Sequence, residues 1–306
     1  MESWRTMKLK RIVSLLLAVA LTMGLSLGAV TVSAADTEYR EHREDPGQFA
    51  PRMNWTETTV TCQSGPDTLT GILTQPKDAV GQVPTAILLH GLSTDKSWCD
   101  DIAWYLADRG IASVRFDFAG TGESTGAQED MTVRTEVINT LDILDYVQGL
   151  DFVDTDNIFL VGKSMGAVDA VLAAQGRADE IRAMCLWYPG FGVGDAVRHG
   201  FLLGQTFDTE NLPDTLTAAG YTFGRGFLEE AKGLDCASAC RNYSGPVLIL
   251  HGDLDFVAPI MYSFQMSEEF PNCELKVVPG GYHGFWGFQE LKALEDMTAF
   301  LEENIA

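Results

Sequence analysis

The chain predicts an α/β fold, a mostly parallel sheet with helices on both faces and one inserted cap. Three observations predict it. First, TAILLH (85–90), ASVRFDF (112–118), NIFLVG (157–162), AMCLWY (183–188), PVLILH (246–251) and ELKVVP (274–279) are short, nearly continuous apolar runs. Such runs suit strands covered on both faces of a sheet. Second, helix-like stretches separate most of them: Trp98–Arg109, Val133–Gln148, Met165–Gln175, Pro259–Phe270 and Gln289–Asn304. Strand and helix alternating over this length imply parallel strands with crossover helices. Third, 57 residues (189–245) break the alternation between AMCLWY and PVLILH, far more than one crossover needs. A connection that long in a compact domain is usually functional.

Ahead of the alternating region, Glu57–Cys62 and Leu69–Gln75 read as two strands joined by Ser-Gly-Pro-Asp, a hairpin at an antiparallel edge. The expected organisation is an N-terminal targeting segment (1–34), a polar segment (35–55) and one domain (56–306) holding the cap at about 189–245. Arg5, Lys8, Lys10 and Arg11 precede nineteen uncharged residues, Ile12 to Val30, and Val32-Ser33-Ala34 supplies small residues before a cut near Ala35. That order is the pattern of a cleaved signal peptide. It predicts a secreted protein, with an uncleaved N-terminal anchor as the alternative. No second apolar run approaches spanning length, so no stable membrane association is expected after cleavage.

The chain of 306 residues carries a formal net charge of −22. Residues 1–34 hold four basic and one acidic residue, so the remainder is more acidic still. Such a surface repels phosphate backbones, and nucleic acid is not an expected partner. Export permits disulfides, but the six cysteines are scattered, and their redox state stays open. Cys236 and Cys240 lie four apart on an expected helix, where they could face each other. No histidine stands near them with ligand spacing, so no metal site is expected. GTGESTG (120–126) lacks the lysine of a phosphate-binding loop and reads as a plain turn, with Asp117 as a loop hydrogen-bonder. No cofactor is expected.

Chemistry concentrates in VGKSMGAVDA (161–170). Ser164 stands between a strand and a helix, with Gly162 and Gly166 allowing close approach of the two. At the helix N-terminus a hydroxyl meets free N–H groups that favour negative charge. The plain alternative is a tight junction with a chance serine. A serine nucleophile needs a base, and the chain offers five histidines. His42 lies in the polar segment and His199 in the cap. His90 and His251 end strands within H-G turns, where they read as structural hydrogen-bonders. His283, in PGGYHGF after the last strand, is the candidate base, since open parallel sheets bind ligands at the carboxyl ends of their strands. HGDLDFVAP offers the orienting carboxylate: Asp255, deeper in the loop, with Asp253 as the second candidate. The order Ser164, Asp255, His283 is that of the α/β-hydrolase fold. In that fold the oxyanion is held by the amide of the residue after the nucleophile, Met165, and by one from the loop HGLSTDKSW, Leu92.

These residues resemble the bacterial cinnamoyl (feruloyl) esterases of the α/β-hydrolase fold. The likeness runs from about residue 56 to the end. It rests on HGLSTDKSW, RFDFAGTGESTG followed by EDMTVRTEV, GKSMGA, HGDLDFVAP and PGGYHGF. The resemblance implies a serine esterase with Ser164, Asp255 and His283 as triad and Leu92 and Met165 as oxyanion donors. It also implies a cap over an acyl pocket, and a small or polysaccharide-linked ester as substrate. The chain departs from the family at Leu92-Ser93, where an aromatic residue and threonine are expected, and at 119–122, which lacks the expected histidine. Cap aromatics Phe191, Tyr221, Phe223 and Phe227 would then either wall the acyl pocket or pack the cap onto the body. Trp187, Tyr188 and Phe285 have the same two readings, pocket or core. Two rival functions remain: a serine peptidase or acyl-aminoacyl hydrolase of the same fold, and a non-catalytic binding protein on the same scaffold.

Overall fold

The structure, a computed structural model, describes residues 54–306; the expected signal segment and nearly all of the polar segment lie outside the described residues. The sheet begins at Trp55, so the last residue assigned to the polar segment belongs to the domain instead. Strands β1 (Trp55–Ser64) and β2 (Asp67–Pro76) form the expected hairpin, followed by β3 (Val83–Leu89), β4 (Ala112–Phe116), β5 (Val153–Lys163) and β6 (Ala183–Trp187). The cap contributes four short strands, β7 (Phe201–Leu202), β8 (Gln205–Thr206), β9 (Thr215–Ala218) and β10 (Tyr221–Gly224). The main sheet closes with β11 (Val247–Gly252) and β12 (Cys273–Val278).

The eight-stranded sheet has the order β1-β2-β4-β3-β5-β6-β11-β12. From β4 to β12 every neighbouring pair is parallel, and β2 runs antiparallel to both β1 and β4. Alternate side chains of each inner strand feed two separate cores, as the period of two requires. Ile87, Leu89, Leu160, Met184, Leu186 and Ile249 face one core. Ala86, Leu88, Phe159, Val161, Cys185 and Leu250 face the other. The continuous apolar runs of the sequence follow from this two-sided burial.

Helices α1 (Asp100–Ala107) and α8 (Phe288–Glu303) cover the second face, through Ile102, Leu106, Ala293, Met297 and Leu301. Helices α2 (Val133–Gln148) and α3 (Met165–Arg177) cover the first, through Ile143, Leu144, Val168 and Val171. The EDMTV stretch marks the start of α2. Thr132 Oγ1 accepts the amide of Thr135 at 3.1 Å, and Thr135 Oγ1 accepts the amide of Thr132 at 2.8 Å, a reciprocal cap on two first-turn donors.

The segment 189–245 is a compact layer of secondary structure. It holds α4 (Val193–Arg198), the β7–β8 and β9–β10 hairpins, α5 (Arg225–Lys232) and α6 (Cys236–Arg241). Phe223 and Phe227 are wholly buried with their rings tilted against each other at 5.1 Å between centroids, and the Tyr221 ring lies 5.2 Å from that of Phe223. With Phe191 they join the core that contains α2 and α3. Of the two readings of these aromatics, the structure therefore favours packing of the cap. Cys236 and Cys240 do share buried positions on α6, and all six cysteines are free thiols. Helix α7 (Met261–Glu269) completes the chain between β11 and β12. Among the described residues no helix is long and apolar enough to cross a membrane.

Candidate active site

Ser164 sits between β5 and α3 with φ 55° and ψ −115°, a backbone region that L-residues rarely adopt. Such a conformation costs on the order of 1–3 kcal/mol and persists only where its surroundings enforce it. The enforcement is visible. A Cβ added at Gly162 would lie 2.3 Å from the Gly166 carbonyl oxygen, and one at Gly166 2.4 Å from the carbonyl oxygens of Leu89 and His90. Only glycine permits this approach of strand, turn and helix. The Ser164 amide donates to Trp187 O at 3.0 Å, and Ser164 O accepts the Gly190 amide at 2.9 Å. Ser93 (φ 59°) and Tyr188 (φ 36°) are two further non-glycine residues with positive φ, and both lie in loops that meet at this turn.

Helix α3 thus starts directly behind the hydroxyl, and Met165 supplies a first-turn amide with no intrahelical acceptor. The loop after β3 closes the other side. A Cβ at Gly91 would fall 2.9 Å from Ser164 Cβ, so the loop that carries Leu92 presses against the serine turn.

His283 and Asp255 come from the loops after β12 and β11. Those loops are locked together: Leu254 donates its amide to Gly281 O at 3.0 Å, and a Cβ on Gly252 would strike the Gly281 carbonyl at 2.1 Å. His283 Nδ1 stands 2.7 Å from Asp255 Oδ2, and His283 Nε2 stands 3.0 Å from Ser164 Oγ. With its hydrogen on Nδ1, the ring donates to the carboxylate and accepts from the serine hydroxyl. Asp253, the second candidate, is exposed and accepts the Gly280 amide at 2.6 Å instead. It shapes the histidine loop and does not touch His283.

Asp255 is buried, yet charged. Burial alone would push its carboxyl up. Hydrogen bonds from His251 and His283, the positive charge of His283 and the Ala258 amide outweigh that and hold it well below the usual carboxylate range. Its Oδ1 accepts the amides of Val257 and Ala258, each at 2.9 Å.

The other histidines separate cleanly. His90 donates from Nδ1 to Gly91 O at 3.0 Å, and its Nε2 accepts the Phe118 amide at 3.2 Å, so it ties the β3 loop to the β4 loop. Burial, its largest influence, lowers its proton affinity. His199 is exposed on the cap, bonded to Asp195 O. Asp117 is a loop hydrogen-bonder, taking Lys96 Nζ at 2.6 Å and the amides of Lys96 and Glu123.

Trp187, Tyr188 and Phe285 are all core, and Tyr188 also stands against the His283 ring at 4.8 Å between centroids. Two features went unread in the sequence. Trp98 also stands against the His283 ring, at 6.3 Å between centroids. Lys163, the residue before the serine, is buried, donates to Trp98 O at 2.6 Å and lies 5.3 Å from the centres of the Trp98 and Trp187 rings. Its place at the end of an apolar strand was the signal. Among the described residues no cluster of three or more His, Cys, Asp or Glu could hold a metal ion.

A family model described as serine aminopeptidase, S33 (Hydrolase_4) matches residues 83–242, more than half of the chain. A comparison with curated proteins returns no match. Among solved structures, Est1E from Butyrivibrio proteoclasticus with ferulic acid bound is 31% identical. The match covers 80% of this chain and 98% of that one, with a TM-score of 0.76. A second structure of Est1E is 28% identical, with the same coverage and a TM-score of 0.73. The esterase domain of a Rhodothermus marinus protein is 21% identical, covers 82% of this chain and 100% of that one, and has a TM-score of 0.63; it shares the fold. The chain is a hydrolase that belongs to the serine aminopeptidase S33 family of α/β-hydrolases and resembles the cinnamoyl esterases.

Proposed function

We propose that the protein is a secreted serine esterase that hydrolyses carboxylic esters through an acyl-enzyme, with hydroxycinnamoyl esters such as feruloyl esters as its substrate class. The observation that carries the reading is the hydrogen-bonded line from Ser164 Oγ through His283 to Asp255, mounted on a strained strand-to-helix turn. Ser164 Oγ attacks the ester carbonyl as His283 Nε2 takes its proton. The carbonyl oxygen becomes an oxyanion facing the amides of Met165 and Leu92, where one such donor is worth about 10²–10³ in rate. His283 returns the proton to the leaving alkoxide, and the acyl group stays on Ser164. Water then gives its proton to His283 as it attacks the acyl carbon, and collapse of that intermediate releases the acid while His283 returns the proton to Ser164 Oγ. Asp255 remains ionised throughout and stabilises the imidazolium.

The choice of acyl group leans on Est1E, whose structure holds ferulic acid, and on the EDMTV and HGDLDFVAP stretches. Export leans on the basic, apolar and small-residue order of residues 1–34. The family description favours a second reading, an aminopeptidase of the same scaffold. The two separate on substrate. Purified protein is expected to hydrolyse methyl ferulate and 4-nitrophenyl acetate and to leave aminoacyl 4-nitroanilides intact; the reverse preference replaces esterase by peptidase. Protein recovered from culture medium of an expressing bacterium should begin close to Ala35. Retention of residues 1–34 in the membrane fraction would instead support an anchor.

A further inference from the structure

We infer that His251 is a positioning residue of the reaction: it donates to the same carboxylate oxygen of Asp255 that receives His283. The inference rests on the esterase reading above, since it concerns the same line of groups.

Strand β11 delivers His251 at its second-last position, with its side chain fully enclosed. Its Nε2 lies 2.8 Å from Ala258 O. A carbonyl oxygen can only accept, so Nε2 carries a hydrogen. That same Nε2 lies 3.2 Å from Asp255 Oδ2. The opposite nitrogen, Nδ1, lies 2.7 Å from Ser263 Oγ, itself wholly buried on α7. A neutral ring has one hydrogen on Nε2, aimed first at Ala258 O and shared with the more distant Asp255 Oδ2 as a forked donor, while the Ser263 hydroxyl donates to Nδ1. Five side chains then form one line: Ser263, His251, Asp255, His283 and Ser164.

A role in folding alone needs only the bonds to Ala258 and Ser263. The contact with Oδ2 adds something different. Oδ1 is already fixed by two amides, so the second imidazole determines where Oδ2 points and how much of its charge reaches His283. Removing that donor leaves Oδ2 with one partner. Two effects follow: the His283 ring is held less firmly for proton transfer, and its protonated form is stabilised by a less shared negative charge.

His251→Leu is expected to lower kcat for 4-nitrophenyl acetate about 10–100-fold, the scale of one hydrogen bond to a charged group. KM should hold, and the acid limb of the kcat/KM profile should move to higher pH. His251→Gln places an amide –NH2 near the Nε2 position and is expected to restore most of kcat and return the acid limb. A leucine variant that keeps its kcat and its acid limb overturns the inference. So does a glutamine variant that folds but recovers neither. Histidine ¹⁵N NMR of the unmodified protein and of Asp255→Asn covers the case in which the leucine variant does not fold. The His251 Nε2 proton should resonate at a different shift in Asp255→Asn, and a bare Nε2, or an Nε2 proton that this replacement leaves unmoved, overturns the donor role. Ser164→Ala is the control that separates the two claims. Full activity in Ser164→Ala defeats the esterase mechanism, whereas an inactive Ser164→Ala beside an unperturbed His251→Leu defeats only the role of His251.

Discussion

Asp255 and the pair Glu136–Asp169 are buried to nearly the same degree, yet the first is ionised and the pair is neutral. Asp255 is 6% exposed, Glu136 2% and Asp169 0%. Around Asp255 stand His283, His251 and the amides of Val257 and Ala258, and the carboxyl is held ionised. Around Glu136, on α2, and Asp169, on α3, donors are lacking: Glu136 Oε2 and both Asp169 oxygens are buried without a hydrogen-bond partner among the described residues. Burial pushes Glu136 up to about 8, and burial reinforced by Glu136 pushes Asp169 well above the ordinary range. Both are therefore held protonated at neutral pH. The difference teaches that burial does not set the charge of an acid in this protein; the donors aimed at it do. The two sites are joined through one helix, since Ser164 heads α3 and Asp169 lies on it.

Asp255→Asn breaks the first half of the comparison and carries the largest expected effect. The amide cannot hold the tautomer of His283 that donates from Nδ1, and kcat should fall by about 10⁴ with the fold intact. Steady-state hydrolysis of 4-nitrophenyl acetate reads this directly, and a loss under tenfold would remove Asp255 from the reaction. Lys96→Met probes a third kind of buried acid, Asp117, whose partner is a cation 2.6 Å away. Stripping that cation leaves the carboxylate its two amide donors and no counter-charge, and chemical denaturation should show a loss of about 3–5 kcal/mol.

The Glu136–Asp169 pair predicts an inverted pH dependence of stability. For an acid whose pKa is higher folded than unfolded, the folded state keeps its proton while the unfolded chain releases it. Stability is then complete at low pH and falls as pH rises from about 4.5 toward 8 for Glu136. Asp255 works in the other direction, with its contribution lost only as pH falls below the ordinary carboxylate range. Glu136→Gln should flatten the decline across that window, with a gain near pH 8 of about 1–3 kcal/mol. Denaturation midpoints at pH 5 and pH 8 test the sign. The smallest effect belongs to Asp253→Asn. It weakens one exposed bond to the Gly280 amide and should alter stability by under about 1 kcal/mol and leave kcat within a few-fold.

Much of this was legible in the chain. Five of the six apolar runs announced strands because two-sided burial leaves no polar alternation, β12 at the sheet edge being only partly buried, and helices α2, α3, α7 and α8 matched their periodic stretches within two residues. Glycine spacing around Ser164 was readable because each missing Cβ corresponds to a backbone contact. What escaped was long-range or very short. The β7–β8 hairpin has two residues per strand, too few to show a period. Glu136 and Asp169 lie on different helices, and neither helix reveals which face meets the other. His251 read as a structural turn residue because it ends a strand four positions before Asp255 in the following loop, a spacing that predicts no contact. The cap aromatics carry a similar lesson: their glycine flanks left a pocket wall and cap packing equally open, and only the contact of the Phe223 and Phe227 rings favours packing.

The central claim is that Ser164 carries the acyl group, and a rapid-quench experiment tests it most directly. Protein mixed with excess 4-nitrophenyl acetate and quenched in acid during the burst should gain the mass of one acetyl group. Peptide mapping should locate it on the segment containing Ser164, and Ser164→Ala should gain nothing. An acetyl group on another residue, or equal labelling of the alanine variant, would contradict the account.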